Sequence, residues 1–216
     1  MLPLSLGGSR VGPMRLLAIG AHPDDIEIGC GGTLLGLAER FASLKATFVV
    51  MTGDERRTKE AAVASELFLP GCDVTLRLGG LTDGRLPSQW NDAKDLLENV
   101  AAAAEYDLVL VPSRGDAHQD HRLIAELTPT VWRDHLVLGY ELPKVDGDIG
   151  RPSIYVPLSA DVAREKVRRL TKAFPSQVER DWWDDELFLG LARIRGMECR
   201  SRYAEAFTMH KGTLTW

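Results

Sequence analysis

Short apolar runs alternate with longer helix-like segments along most of this chain. The strand candidates are residues 15–19, 46–51, 74–78, 107–112, 137–140 and 154–157, of which the last two are weaker. Helices are predicted over 30–41, 58–68, 92–105, 122–133 and 161–174, the last with Ser159 as its cap. Because parallel strands need a crossover of about a dozen residues or more, usually a helix, this alternation predicts a parallel sheet covered on both faces. The expected fold class is α/β, a Rossmann-like three-layer α/β/α architecture with a mostly parallel sheet.

The composition is that of an ordinary globular domain. Of the 216 residues, 44% are hydrophobic and 26% are charged, so the chain can form a core and lacks the composition of a disordered segment. We expect a single domain over 1–216. Within it, 1–13 is expected to be a flexible N-terminal segment that is too weak for a secretory signal.

Charge, hydropathy and cysteine content exclude several classes of protein. The formal net charge of −5 argues against a nucleic-acid partner, because affinity for phosphates depends on Lys and Arg. No stretch approaches the roughly 18 apolar residues of a membrane helix, so no membrane span is predicted. Three widely spaced cysteines provide neither a disulfide framework nor a four-cysteine metal site. We therefore expect a cytoplasmic protein.

Histidines and carboxylates follow two of the predicted strands directly. Residues 21–33 come after the first strand and contain His22-Pro23-Asp24-Asp25, and residues 113–121 come after the fourth and contain His118-Gln119-Asp120-His121. Ligands of parallel α/β sheets bind beyond the carboxyl ends of the strands, near the point where the strand order reverses. The sequence therefore predicts that these side chains meet at one edge of the sheet.

Such a group of side chains is typical of a catalytic metal site. Two imidazoles and one carboxylate form a common zinc set that leaves a position open for water. Further acidic groups and a third histidine remain, and hydrolytic enzymes use such groups as base, acid and orienting residue. The spacing does not decide which histidine binds the metal. The alternative, that Asp24 or Asp25 only caps a helix and that each histidine is structural, also stays open.

The glycines at 29–32 suggest a phosphate-binding loop but do not fit one. They are not spaced as G-x-G-x-x-G, and acidic residues occupy the turn. We expect no nucleotide cofactor, and interpret the glycines as positions of close packing between helix and sheet.

These segments resemble those of the LmbE-like, or PIG-L, family of metal-dependent N-acetylglucosaminyl deacetylases. The family patterns A-H-P-D-D-x-x-x-G-x-G-G-T and H-x-D-H match 21–33 and 118–121 in the same order. Further segments that are similar to family motifs are 51–55, Arg57-x-x-Glu60, Ser176-Gln177, Arg195-Gly196 and 203–207. The resemblance extends from about 15 to 207.

The resemblance implies a role for each matching residue. His22, Asp25 and His121 would be the metal ligands, with Zn²⁺ as the expected ion and Fe²⁺ or another divalent metal as the alternative. Asp24 would be the general base, His118 the oxyanion stabiliser and acid, and Asp120 the residue that holds His118. The expected substrate-binding residues are Arg57 for the sugar hydroxyls, Glu55 in the adjacent motif, and Tyr140, which ends a strand near the site.

The implied activity is hydrolysis of an N-acetylated amino sugar or its conjugate. A water activated by the metal attacks the amide carbonyl, Asp24 takes its proton, and protonated His118 supplies the proton that the leaving amine needs. The products are acetate and a free amine. The family also often self-associates, so the resemblance leaves a homo-oligomer open, while the sequence itself does not indicate the oligomeric state. The glycine-rich insertion common between the T-x-G-E and R-x-x-E motifs is missing, which predicts a short loop over the sugar.

Two other functions fit part of the pattern. Two histidines and a carboxylate also form the facial triad of non-haem iron oxygenases. A metal- or sugar-binding module without turnover would explain the ligands but would give Asp24 and His118 no purpose. Trp182-Trp183 would stack on a sugar in a functional interpretation, although aromatic pairs more often anchor a loop or an interface.

Overall fold

The computed structural model describes residues 12–213, and it consists of one seven-stranded sheet between two layers of helices. The strands are β1 Met14–Gly20, β2 Leu44–Thr52, β3 Asp73–Leu81, β4 Leu108–Pro112, β5 Leu136–Tyr140, β6 Ile154–Leu158 and β7 Tyr203–Met209. The helices are α1 Asp25–Arg40, α2 Glu55–Phe68, α3 Trp90–Ala103, α4 Gln119–Val131, α5 Ala160–Ala173 and α6 Asp185–Glu198, with a short 3-10 helix at Leu86–Gln89. Most of the predicted flexible segment lies outside the described residues.

The strand order is β3-β2-β1-β4-β5-β7-β6. Strands β1 to β5 pair in parallel, and β7 runs antiparallel between β5 and β6. The chain proceeds outward from β1 to β3 and then returns to place β4 on the other side of β1. The order of the strands therefore reverses between β1 and β4, which is where ligands bind in sheets of this kind. The predicted α/β fold class is confirmed.

Alternate residues of β1 pack into two separate hydrophobic clusters. Leu16 and Ala18 belong to the cluster shared with α1, α2, α5 and α6, whereas Leu17 and Ile19 belong to the cluster shared with α3 and α4. Successive side chains of a strand point to opposite faces, so a strand that is covered on both sides is apolar at every position. This double burial explains the continuous apolar run of β1.

The helices at the two predicted metal segments begin earlier than the sequence indicated. Helix α1 begins at Asp25 instead of 30, and α4 begins at Gln119 instead of 122. The prediction followed apolar periodicity, and the polar and acidic side chains at the starts of these helices interrupt that pattern. Helix α6 and strand β7 were not predicted. The cap by Ser159 is confirmed, since its side chain accepts from the amide of Val162.

Within 12–213, no helix combines the length and the apolar character that crossing a membrane would need.

Candidate active site

The loops after β1 and β4 form the site because these strands are neighbours in the sheet. The backbone amide of His22 donates to Oδ2 of Asp25 at 2.8 Å, which closes the turn that leads into α1. His118 is the N-cap of α4, where its Nδ1 accepts from the amide of Asp120 at 3.2 Å. His121 then lies in the first turn of α4 and points back toward β1. Two helix starts thus supply the functional side chains.

Three candidate ligand atoms converge at this point, and a ring nitrogen of His118 also lies within 4.8 Å of nitrogens of His22 and His121. Nδ1 of His22 is 3.1 Å from Nε2 of His121, and Oδ2 of Asp25 is 3.5 Å from the first nitrogen and 3.3 Å from the second. Atoms bound to a tetrahedral zinc ion at about 2.0–2.1 Å lie roughly 3.3 Å from one another. All three side chains are buried. This donor set fits a divalent metal, with the ring of His118 beside it at 4.7 Å from the ring of His121.

Two carboxylates that the sequence analysis did not assign lie beside the second ring nitrogens of His22 and His121. Oδ2 of Asp116 is 2.9 Å from Nδ1 of His121, and Oδ1 of Asp83 is 3.0 Å from Nε2 of His22. A carboxylate at the second ring nitrogen fixes the tautomer and leaves the first nitrogen free for a metal. The only sequence signal was their position, because Asp116 follows β4 and Asp83 follows β3.

Asp120 does not hold His118 in the way the sequence predicted. Its carboxylate accepts from the backbone amides of Gly84 and Leu86 at 2.7 and 3.1 Å, and it lies 3.4 Å from Nε2 of His22. The first turn of α4 turns the carboxylate toward the loop after β3. Only the backbone amide of Asp120 contacts the ring of His118. Asp120 therefore positions that loop and the ring of His22, and the prediction for its side chain was wrong.

Asp24 has the environment of a general base. Its backbone adopts φ 114°, an uncommon conformation for a residue with a side chain, and its carboxylate makes no capping hydrogen bond. Oδ1 instead accepts from Nη2 of Arg57 at 3.1 Å. Burial raises the pKa of Asp24 to about 7, and the guanidinium of Arg57 opposes that rise. A carboxylate whose pKa is near neutrality is suited to accepting a proton at physiological pH.

The three histidines differ in protonation in the metal-free site. Burial lowers the pKa of His22, but Asp25, Asp120 and Asp83 outweigh burial and raise that pKa to about 12. Burial likewise lowers the pKa of His121, but Asp25 and Asp116 raise it to about 9.

The pKa of His118, by contrast, is lowered by burial and by the neighbouring positive charges of His121 and His22. The negative charges of Asp120 and Asp25 act in the opposite direction but do not outweigh these effects. A bound cation would replace the protons of His22 and His121.

Two of the three predicted substrate-binding residues do not face the site. Glu55 is exposed at the start of α2 and pairs with Lys59 at 2.7 Å. Tyr140 is fully buried, and its hydroxyl donates to the carbonyl of Ile19 at 2.7 Å. Its ring fills the space above Gly29, where an added Cβ would lie 2.1 Å from the ring. Tyr140 is therefore a packing residue, whereas Arg57 does line the cleft.

The C-terminal motifs fix the elements around the site instead of entering it. Glu60 accepts from the amide and the hydroxyl of Ser176, at 2.9 and 2.5 Å, and so ties the loop after α5 to α2. Arg195 forms a buried ion pair with Glu141 at 2.6 Å, which ties the loop after β5 to α6. The first pair joins the R-x-x-E and S-Q motifs directly, whereas the R-G motif is tied to the loop after β5.

Glu205 of β7 likewise ties α1 to its neighbouring elements. Its carboxylate accepts from the amides of Gly32 and Thr33 at 2.8 and 2.6 Å, and Nζ of Lys166 lies 2.6 Å away. Gly32 allows this approach, because an added Cβ would lie 2.5 Å from the side chain of Leu158. The glycines of α1 thus serve close packing, as the sequence analysis expected.

The site opens into a cleft of about 420 Å³, within the range of small-molecule sites. The residues that line it are His22, Asp24, Asp25, Ile28, Arg57, Asp83, His118, His121, Leu142, Pro143, Lys144, Gln177, Arg180 and Trp182. The floor combines the metal donors with Asp24 and His118. This arrangement can bind a divalent ion and act on a substrate with groups that take up and supply protons.

Comparison with known proteins agrees with the site. The family model described as PIG-L, GlcNAc-PI de-N-acetylase, matches residues 17–132, which is more than half of the chain. The uncharacterized deacetylase YaiS of Escherichia coli strain K12 is 34% identical over 151 residues, covering 65% of this chain and 78% of YaiS.

Solved structures share the fold. Conserved protein TT1542 of Thermus thermophilus has a TM-score of 0.74 at 24% identity, covering 93% of this chain and 96% of that one. N,N'-diacetylchitobiose deacetylase of Pyrococcus horikoshii has a TM-score of 0.69 at 21% identity, covering 90% and 83%.

The same fold also occurs in an enzyme that catalyses a different reaction. GalB of Pseudomonas putida KT2440, a 4-carboxy-2-hydroxymuconate hydratase, has a TM-score of 0.72 at 17% identity, covering 94% of this chain and 98% of GalB. Structural similarity alone therefore does not choose the reaction. The sequence match and the residues of the site do: the chain belongs to the PIG-L family and is an N-deacetylase of that family.

Proposed function

We propose that the protein is a zinc-dependent hydrolase that removes the N-acetyl group from an amino sugar or its conjugate, releasing acetate and a free amine. The observation that carries this proposal is the convergence of His22, Asp25 and His121 beside the buried carboxylate of Asp24. Zinc suits two imidazoles and one carboxylate, and it leaves room for water and substrate. The family match and the sugar deacetylase among the solved structures support an N-acetylated sugar as substrate.

In the proposed reaction, His22, Asp25 and His121 hold the ion, which when bound supplies Lewis acidity that polarises the amide carbonyl and acidifies water. Asp24 accepts a proton from the attacking water. The guanidinium of Arg57 donates to Oδ1 of Asp24 and keeps that carboxylate oriented. Because the pKa of Asp24 is raised only to about 7, the carboxylate is available as a base at neutral pH.

His118 supplies a hydrogen-bond donor to the substrate amide. Its Nδ1 accepts from the amide of Asp120, so the neutral ring carries its proton on Nε2. That Nε2–H donates a hydrogen bond to the developing oxyanion. As the N–C bond breaks, the nitrogen takes up the proton that Asp24 removed from the attacking water, so the amine leaves neutral and the acetyl group leaves as acetate.

The sugar is expected to lie against Arg57 and Asp83. Both line the cleft, and Nη1 of Arg57 is 3.8 Å from Oδ2 of Asp83, which has a half-exposed side chain. A guanidinium beside a carboxylate offers donors and acceptors to neighbouring hydroxyls. Only two residues connect β2 to α2, which is consistent with the missing glycine-rich insertion and with an open cleft on this side.

Acetate and amine release from a panel of N-acetylated sugars and sugar conjugates tests the proposal, using protein loaded with zinc in the absence of oxygen. We expect turnover under these conditions. A requirement for iron and oxygen would favour an oxygenase, and hydration of unsaturated acids without amide cleavage would favour a hydratase.

Two histidine variants test the assignment within the site. His121→Ala is expected to lose metal affinity, whereas His118→Ala is expected to retain metal and lose turnover. Metal analysis with the opposite result would exchange their roles, and silence of the wild-type protein on every acetamide would contradict the proposed reaction.

A further inference from the structure

The cleft continues beyond the groups that the proposed reaction uses. Its second half is lined on one side by Leu142, Pro143 and Lys144 after β5. On the other side it is lined by Gln177, Arg180 and Trp182, in the segment between α5 and α6. None of these residues contributes to metal binding or to the proton transfers proposed above. This half is therefore available for whatever is attached to the sugar.

Trp182 is held in a fixed position at this wall. The ring of Trp183 lies 5.5 Å from that of Trp182 and is itself buried against Phe174 and Phe188, at 6.4 and 5.1 Å. The same segment begins at Ser176, which is tied to α2 through Glu60. Trp183 thus anchors the segment while Trp182 remains partly exposed at the cleft. A partly exposed indole beside apolar residues is suited to packing against a ring.

The two cations of this half differ in their partners. Lys144 is neutralised by Asp116 at 3.0 Å and by Asp148 at 2.5 Å. Arg180 is exposed, and among residues 12–213 no carboxylate lies within ion-pair distance of its guanidinium. An unpaired guanidinium at a binding cleft is available for a carboxylate or phosphate of a ligand.

We infer that Trp182 and Arg180 form a subsite for the group attached to the sugar, and that this subsite selects conjugates in which the amino sugar carries a ring bearing a negative charge. Trp182 stacks on the ring, and Arg180 pairs with the anionic group. The inference rests on the proposed deacetylation, and it adds which part of the substrate the chain recognises beyond the acetamide and the sugar hydroxyls.

The test compares three probes that differ only beyond the sugar: the methyl, phenyl and 4-carboxyphenyl glycosides of N-acetylglucosamine, in both anomers. We expect kcat/KM to rise about tenfold from methyl to phenyl through stacking, and about tenfold again for carboxyphenyl through the ion pair. The second increase should shrink as salt is added, because exposed charge pairs are screened.

Variants assign each increase to one residue. Trp182→Ala should bring the phenyl-to-methyl ratio close to one, and Trp182→Phe should restore part of it, which separates stacking from a folding defect. Arg180→Gln should bring the carboxyphenyl-to-phenyl ratio of kcat/KM close to one. The matched controls Trp90→Ala and Arg164→Gln change exposed residues of the same types away from the cleft and should leave both ratios unchanged.

Calorimetry with the corresponding amine glycosides separates this inference from the proposed function. Acetate release with both kcat/KM ratios near one in the wild-type enzyme would overturn the subsite and leave the deacetylation standing. Ratios that remain high in Trp182→Ala and Arg180→Gln would have the same meaning. If no probe is deacetylated, the proposed function is judged on the wider panel of N-acetylated sugars, and the subsite is still judged by binding. Tighter binding of the carboxyphenyl amine that weakens about tenfold in Trp182→Ala and Arg180→Gln supports it, and absent or unchanged binding overturns it.

Discussion

Nδ1 of His22 lies 3.1 Å from Nε2 of His121, although 99 positions separate the two residues in the chain. The contact exists because β1 and β4 are hydrogen-bonded neighbours whose carboxyl ends lie at one edge of the sheet. Oδ2 of Asp25 lies within 3.5 Å of both nitrogens. Two buried imidazoles and a carboxylate this close either share protons or bind a cation, and the following predictions depend on that alternative.

Replacement of Asp24 by Asn should abolish turnover without loss of metal. The carboxylate contacts Arg57 and not the three ligand atoms, so metal stoichiometry should be retained. The deacetylation rate should fall by on the order of 10² or more, the usual contribution of a general base. Glu55→Gln is the control, since Glu55 is exposed and pairs with Lys59. Full activity of Asp24→Asn would exclude Asp24 from proton transfer.

Replacement of Asp116 by Asn should weaken metal binding although Asp116 is not itself a ligand. Its carboxylate sets the proton of His121 on Nδ1, and loss of such a partner typically costs about 10–100-fold in metal affinity. Competition against a chelator measures the change, with the exposed Asp134→Asn as control. An affinity equal to wild type would show that the ring of His121 is oriented by other contacts.

Metal binding should release protons and weaken as the pH falls. Neighbouring carboxylates raise the pKa of His121 to about 9 and that of His22 to about 12, so this pair of rings holds protons at neutral pH that a bound metal would displace. Each displaced proton lowers the apparent affinity about tenfold per pH unit. Titration calorimetry in buffers of different ionisation enthalpy counts the protons, and a result of zero would contradict the charged state of the rings.

Without metal, the stability of the fold should decrease as the pH rises, whereas metal affinity increases with pH. A histidine whose pKa is raised in the folded state binds its proton more tightly there than in the unfolded chain. The resulting stabilisation is complete below the unfolded pKa of 6.5 and is lost as the pH rises toward 9, through the folded pKa of His121. Melting temperatures measured in chelator from pH 6 to about 9 should therefore fall with pH. Constant values would contradict this linkage.

Removal of Glu205 should destabilise the fold strongly. Glu205→Ala leaves the amides of Gly32 and Thr33 without their acceptor and removes the negative charge that pairs with buried Lys166, which retains only the carbonyl of Ile28. Breaking a buried ion pair in this way costs about 3–5 kcal/mol, whereas the exposed pair of Glu55 and Lys59 should contribute less than about 1 kcal/mol. Urea denaturation measures the free energy of unfolding of Glu205→Ala and of a variant that lacks the Glu55–Lys59 pair. Adding Lys166→Met to Glu205→Ala should restore part of the lost stability.

Replacement of Tyr140 by Phe separates packing from substrate contact. The hydroxyl donates to the carbonyl of Ile19, so its loss should cost about 1 kcal/mol of stability. KM should remain that of the wild-type enzyme, because the side chain has no exposed surface. A tenfold rise in KM with unchanged stability would return Tyr140 to the substrate-binding residues.

Much of the fold could be predicted because its strands are covered on both faces. In β1 every position from Leu16 to Ile19 is fully buried, and this produces the unbroken apolar run that was recognised. Strand β7 escaped prediction because Glu205 lies between its apolar neighbours and interrupts the apolar run. The early starts of α1 and α4 escaped because their first turns carry polar side chains.

The sequence by itself determined most of the strands and helices, and it determined that His22, Asp25 and the histidines of 118–121 would meet, because side chains that follow parallel strands directly gather at one edge. The choice of His121 over His118 came only from the family resemblance. Only the tertiary structure decided what surrounds them. The long-range contacts of Asp83 and Asp116 with the imidazoles, the turn of Asp120 toward Gly84 and the burial of Tyr140 depend on loop paths and helix starts. Local propensity does not fix these, since packing between distant segments sets them.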